Sequence, residues 1–238
     1  FQSLEETMAV YYCLKQTQHP HIKELIPAAR SILIYFDPLL VEIRSLIQWI
    51  LNQKISQDVL RQGKEIVINT RYNGIDLNNV AEYLGISTDQ VIQKHTNSDW
   101  QVAFIGFAPG FAYLINPKQV FGSIPRLASP RKKVSAGAVG LAGEYSGIYP
   151  KDSPGGWQLI GQTDEMLWDV QRKQPALLLP SDRVIFKDIS RNPTQVSVPA
   201  QSFSQDDSFK KSVVLHVKNV GLQVLLQDEG RKHLAELG

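Results

Sequence analysis

Gly106-Phe-Ala-Pro-Gly-Phe-Ala-Tyr-Leu114 is the stretch on which the reading of this chain turns. It alternates large rings with residues that fix or free the backbone. Pro109-Gly110 demands a turn, and Phe107, Phe111 and Tyr113 then project rings from a rigid bend. Two readings stay open: a hairpin packing its own aromatics into the core, and a preformed apolar wall of a pocket.

Outward from this bend the texture is β. Trp100, Val102 and Phe104 alternate on one face, and β-prone stretches follow near Lys133–Leu141, Trp157–Thr163, Arg183–Phe186 and Gln195–Val198. Ten of the sixteen glycines fall between Gly106 and Gly161. Short strands punctuated this densely predict a β-barrel or sandwich. Arg191 to Ser208, polar and carrying Pro193 and Pro199, reads as an extended exit, and Val213 to Val217 begins a new strand-then-turn texture.

Upstream the texture is mixed. Glu5 to Lys15 reads as helix, and Ser31 to Phe36 as a buried strand stopped by Asp37-Pro38. Leu39, Leu40, Ile43, Leu46, Ile47, Ile50 and Leu51 recur at helical steps and form one apolar face. Glu65 to Asn69 reads as a strand and Asn73-Gly74 as a turn. Asp76 is placed to cap a helix ended by Gly85, and Ser87 with Gln90 has capping-box spacing for another. The expected class is α+β, with domains over 1–95, 96–208 and 209–238.

Composition removes several function classes. No apolar run approaches the roughly 20 residues of a membrane span. A net charge of +2 with interspersed signs does not suit a nucleic-acid binder. Cys13 is alone, which predicts a reduced buried thiol in a cytoplasmic protein. No phosphate-binding Gly-x-x-x-x-Gly-Lys-Ser/Thr loop, His-Glu-x-x-His or Gly-x-Ser-x-Gly occurs, and the five histidines lack metal-ligand spacing, so no metal is expected. Gly137, Gly140 and Gly143 lie in a β region, where relief of barrel crowding explains them.

One constellation could carry chemistry. Pro125-Arg126 and Pro130-Arg131 repeat a stiffened arginine suited to carboxylate or phosphate, against the plain reading of a solvated charged face. Tyr149-Pro-Lys-Asp-Ser-Pro-Gly-Gly-Trp157 is a second stiff loop, in which Gly155 and Gly156 permit close approach. The candidate substrate-binding set is Phe107, Pro109, Phe111, Tyr113, Arg126, Arg131, Gly137, Tyr149, Gly155, Gly156 and Trp157. No catalytic base is assigned; His95 is a candidate, weighed against a structural histidine.

Read together, Gly106 to Leu114, Pro130-Arg131 leading to Val134-Ser-Ala-Gly-Ala-Val-Gly140, and Ile148-Tyr-Pro to Ser153-Pro-Gly-Gly-Trp-Gln-Leu-Ile-Gly161 resemble the B-type subunit of the bacterial 5-oxoprolinase/Kip-inhibitor family. The resemblance spans nearly all of residues 20 to 190. It implies a ferredoxin-like N-terminal domain, its first strand clipped, followed by a cyclophilin-like β-barrel. It implies a C-type partner and an A-type subunit with which 5-oxoproline is hydrolysed to glutamate using ATP. ATP would be needed by the complete complex, with nothing bound to this chain alone. The family has also been labelled allophanate hydrolase subunit 1, and similar modules form the carboxyltransferase part of urea carboxylase. A non-enzymatic histidine-kinase inhibitor is the third implied function.

Leu215-His-Val-Lys-Asn-Val-Gly-Leu-Gln-Val-Leu-Leu-Gln-Asp-Glu-Gly-Arg231 resembles the opening of the C-type subunit, which implies a B–C fusion cut soon after Arg231. The chain begins at Phe1, so a fragment boundary is expected there too. Four positions depart from the family's pattern: Ser135 stands for a usual proline, Ala138 for a frequent serine, Gln162 for an arginine, and Pro180-Ser-Asp182 for a Pro-Gly-Asp turn.

Overall fold

The computed structural model describes residues 1–55 and 63–190. In chain order the elements are α1 (Leu4–Thr17), β1 (Ile22–Pro27), β2 (Ile32–Phe36), α2 (Ile43–Leu51), β3 (Glu65–Thr70), α3 (Leu77–Leu84) and α4 (Thr88–Thr96). Eight strands follow: β4 (Trp100–Ile105), β5 (Ala112–Ile115), β6 (Arg131–Val134), β7 (Ala138–Ala142), β8 (Tyr145–Ile148), β9 (Ser153–Gly155), β10 (Gln158–Gln162) and β11 (Arg183–Asp188). The strand expected over Gln195–Val198, the exit over 191–208 and the C-type opening over 209–238 lie outside the described residues.

The helix ends follow their local chemistry, with one exception. Ser87 accepts from the Gln90 N–H while the Gln90 side chain accepts from the Ser87 N–H, a complete capping box on α4. Gly85 ends α3 at φ 66°. Asp76 occupies the N-cap position of α3, yet its side chain makes no cap hydrogen bond. Its carboxylate is used elsewhere, as described below.

Seven strands form one sheet in the order β10-β7-β8-β5-β4-β11-β3. The two edges meet: Arg71, just past β3, and Gln162 of β10 exchange both backbone hydrogen bonds at 2.8 Å. Gly74 and Asp76 continue the seam, donating to Ile160 and Leu159. A Cβ on Gly74 would lie 2.3 Å from the β10 backbone, so only glycine lets the edges approach this closely. The result is a nearly closed barrel. Inward-pointing Ile68, Val102, Leu114, Val139, Leu141, Ile148, Ile160 and Val184 fill it, and α3 and α4 add Val80 and Val91 to the same core. A bulge between Val102 and Phe104 turns the end of β4 to the other face.

The first unit comprises α1, α2 and the antiparallel β1–β2 pair. Strand β1 is not marked in the sequence pattern because Ile22 to Pro27 carries two charges and is only partly buried. Strand β3, placed before the expected boundary at 95, pairs in parallel with β11 of the barrel over six residues. The sheet therefore crosses that boundary. The apolar face of α2 is also not the buried stripe it suggests: Leu46 alone is buried, while Ile43, Ile47 and Leu51 are 57%, 47% and 73% exposed.

Candidate functional site

Side chains alternate across a strand, so strands that line the barrel present their other residues outside. Ala112 and Leu114 of β5, Val139 and Leu141 of β7, and Ile148 of β8 point inward. Tyr113, Ala138, Ala142 and Tyr149 take the opposite face, where Phe111 and Trp157 join them in a second cluster. The short β6–β9 pair lies over this cluster, lending it Val134.

The rings form a continuous set of edge contacts. Phe111 is 5.2 Å from Tyr149 and 5.3 Å from Trp157, both near-perpendicular, and Tyr113 is 5.6 Å from Trp157. Phe104 stacks on Tyr113 at 4.5 Å, and Tyr145 is 5.7 Å from Tyr113. Such pairs each add roughly 0.5–1.5 kcal/mol beyond area burial. Gly147 lies beneath them: a Cβ there would be 2.9 Å from Trp157 and 3.0 Å from Phe111.

The rings of the Gly106–Leu114 bend divide between buried core and exposed surface. Phe111, Tyr149 and Trp157 are buried core. Phe107 is 61% exposed, and its backbone sits at φ 72°, an uncommon conformation for a bulky residue. The ring meets the buried cluster edge-on, 5.3 Å from Phe111 and 6.3 Å from Tyr149. Pro109 is half-buried, in the turn that carries Phe107, and Gly110 completes it at φ 79°. The exposed feature is an aromatic surface with Phe107 as its projecting ring. A cavity of about 670 Å³ lies elsewhere, between α1 and strands β4–β5, and reaches the cluster only at Tyr145.

The two arginines separate cleanly. Arg131 donates to Asp76 at 2.6 Å, and the other Asp76 oxygen accepts from the Leu159 N–H at 2.7 Å. Asp76 is buried, so this carboxylate and Arg131 tie β6 to the barrel seam. Arg126 is exposed, and among the described residues it has no carboxylate or hydrogen-bond partner. Its backbone is nevertheless fixed on both sides. Gln158 Nε2 donates to the Pro125 carbonyl at 3.0 Å, and the Leu127 N–H donates to Gly156 at 2.8 Å. Burial raises the pKa of Tyr113, and the Arg126 charge opposes it. Burial likewise raises Tyr149, against the Trp157 backbone hydrogen bond and Arg126. Tyr145 is pushed up to about 12 by burial, with Glu144 adding to the effect.

The remaining candidates have backbone roles. Gly137, at φ 80°, donates to Tyr149 and accepts from Thr163; a Cβ there would strike the Thr163 carbonyl at 2.1 Å. Gly155 makes room for the Tyr149 hydroxyl, which a Cβ would approach to 2.2 Å. Gly156 receives the Leu127 hydrogen bond. His95 lies apart from the surface, fully buried among Trp100, Phe121 and Phe186. Its Nδ1 pairs with the Tyr72 hydroxyl at 2.7 Å and Nε2 with Ser146 Oγ at 2.9 Å. Burial pulls its pKa down to about 3, so it is a neutral core histidine with no open path to a substrate.

Phe104, Tyr145, Gly147 and Gln158 are neighbours of the site that the sequence does not single out. Alternation around Phe104 is visible there, but the pairing that stacks it on Tyr113 is not.

Barrel, seam and the projecting Phe107 ring together define a cyclophilin-like module with an aromatic cluster on its outer face. The chain belongs to the family of the carboxyltransferase domain, subdomain C and D, which matches residues 2–178. It is 38% identical over 175 residues to the B-type subunit of 5-oxoprolinase from Escherichia coli O157:H7, covering 70% of this chain and 78% of that protein. Identity to the corresponding 5-oxoprolinase subunit of Bacillus subtilis (strain 168) is 35% over 193 residues, covering 74% and 80%. Urea amidolyase of Saccharomyces cerevisiae is 28% identical over 213 residues, but they make up only 11% of that protein. Among solved structures, TTHA0988 superposes with a TM-score of 0.66 at 32% identity, covering 78% of this chain. This chain spans about a third (36%) of TTHA0988.

Proposed function

We propose that this chain is the B-type component of an ATP-dependent 5-oxoprolinase, acting with a C-type partner and an A-type subunit. The observation that carries the reading is the open half-site: Phe107 projects from a rigid bend at the edge of the aromatic cluster, and the uncommitted, backbone-clamped Arg126 acts electrostatically on Tyr113 and Tyr149 of the same cluster. Similarity to the B-type 5-oxoprolinase subunits over most of the chain supports it.

Opening a lactam requires an electrophilic carbonyl. ATP would supply this by phosphorylating the carbonyl oxygen as ADP leaves; one water adds at that carbon, the protonated ring nitrogen leaves as the C–N bond breaks, and a second water releases phosphate from the resulting acyl phosphate to give glutamate. This chain's part is to bind and orient the substrate while its rings exclude bulk water. No general base is assigned to it, and ATP is assigned to the complete complex. A buried Cys13 outside any disulfide favours a reducing, cytoplasmic setting.

The test is reconstitution with C-type and A-type partners. ATP-dependent formation of glutamate from 5-oxoproline is expected, and its absence from a properly assembled complex would overturn the reading. The similarity to urea amidolyase favours a second reading, carboxyl transfer from carboxybiotin to urea. Biotin-dependent carboxylation of urea, without glutamate formation, would select it.

A further inference from the structure

Two arginines are candidates for anion recognition, and the structure gives them different work. Arg131 is already neutralised by the buried Asp76 carboxylate, and its other amino group reaches the Trp157 carbonyl at 3.5 Å. A second anion there would have to compete with a carboxylate that the fold cannot release to water. Arg126 has no such partner among the described residues.

Arg126 is also pre-positioned. The residues on either side of it are hydrogen-bonded to the segment from Gly156 to Gln158: Pro125 through the Gln158 side chain and Leu127 through the Gly156 carbonyl. Among the described residues, the Gln158 Oε1 atom is buried without a partner. An exposed guanidinium on a fixed backbone loses less entropy on binding than one on a mobile loop.

We propose that Arg126 is the specificity-determining residue of the half-site. It selects small molecules carrying a carboxylate beside the amide or lactam and holds that carboxylate through its planar fork, while Arg131 is a structural tie. The proposal rests on the reading of the aromatic surface as a substrate half-site. Phe107 takes the apolar face of such a molecule, and Arg126 sets which end of it faces the protein.

The test uses the full chain assembled with its C-type and A-type partners. Binding is measured for 5-oxoproline, cyclopentanecarboxylate and benzoate, each against its uncharged primary amide. A charge-assisted bidentate contact predicts acid over amide by about ten- to a hundredfold. Arg126→Gln is expected to abolish that preference while leaving amide binding and the melting temperature unchanged, and Arg126→Lys to retain part of it. The proposal is overturned if the unmodified complex shows no acid preference, or if Arg126→Gln retains it. The two readings fail separately. Glutamate formation with an unchanged KM in Arg126→Gln sinks this inference alone. An Arg126-dependent acid preference without glutamate formation sinks the 5-oxoprolinase reading alone.

Discussion

Asp76 shows how a residue's local reading is overridden by what packs against it. Its position before α3 marks it as a cap, but its two oxygens go to Arg131 and the Leu159 N–H. A nearly buried carboxylate that loses its cation is left uncompensated, so Arg131→Gln is expected to destabilise the fold by about 3 kcal/mol. Asp76→Asn in the same chain should recover much of that loss, as a double-mutant cycle by urea denaturation would show; additive losses would rule out the coupling. Ser181 is a second case. It stands where the family pattern has glycine, at φ 77°, and its hydroxyl pairs with that of Tyr12 on α1. Ser181→Gly exchanges a hydrogen bond for relief of backbone strain, so a change within about 0.5 kcal/mol is expected. Ser181→Ala keeps the strain and loses the bond, which predicts a loss of about 1–2 kcal/mol; equal melting temperatures for the two variants would contradict this account.

At the scale of elements, what is legible in the sequence is what depends on near neighbours. The capping box of α4, the glycine end of α3 and most strand positions follow from spacings of a few residues. Strand β3 is visible as a strand, but its parallel partner β11 begins 118 residues later, and nothing local specifies that pairing. The His95 site has the same character: α4 brings the imidazole, β8 brings Ser146, and Tyr72 follows β3. The imidazole thus pins α4 to the barrel wall in its neutral form. A free imidazole in the unfolded chain titrates near 6.5, whereas the folded one is held down to about 3. The unfolded state therefore binds the proton first as pH falls. The stabilisation is complete above about pH 6.5 and is lost progressively toward pH 3, at up to about 1.4 kcal/mol per unit. Urea titrations from pH 7 to pH 4 should show a shallower slope for His95→Gln than for the unsubstituted chain. Parallel slopes would mean that other groups set the acid sensitivity.

For the whole molecule, the barrel satisfies its own edges, while the first unit buries the apolar residues of α1 and leaves those of β2 and α2 largely exposed. The seam from Arg71 to Asp76 closes the sheet, and the bulge in β4 divides aromatic residues between inner core and outer site. Those features are illegible in the sequence because closure depends on which strands become edges, which periodicity does not encode. In the first unit, Leu33 and Tyr35 point outward from β2 and are 62% and 60% exposed. Leu39 and Leu40 follow at 92% and 62%, and Ile43, Ile47 and Leu51 share one side of α2 at four-residue spacing. The helical periodicity matches the helix, but periodicity cannot say whether a face has found a partner. Seven large apolar side chains exposed within residues 33–51 supply apolar surface available for association. The chain alone is expected to bind a hydrophobic dye strongly and to self-associate with rising concentration. Because Ile47 and Leu51 contribute little burial, the pair Ile47→Lys and Leu51→Glu should reduce dye binding and light scattering several-fold with no drop in melting temperature. A drop in melting temperature would show that these side chains are buried in solution. Unchanged dye binding at full stability would place the adhesive surface elsewhere, with the rings around Phe107 as the next place to substitute.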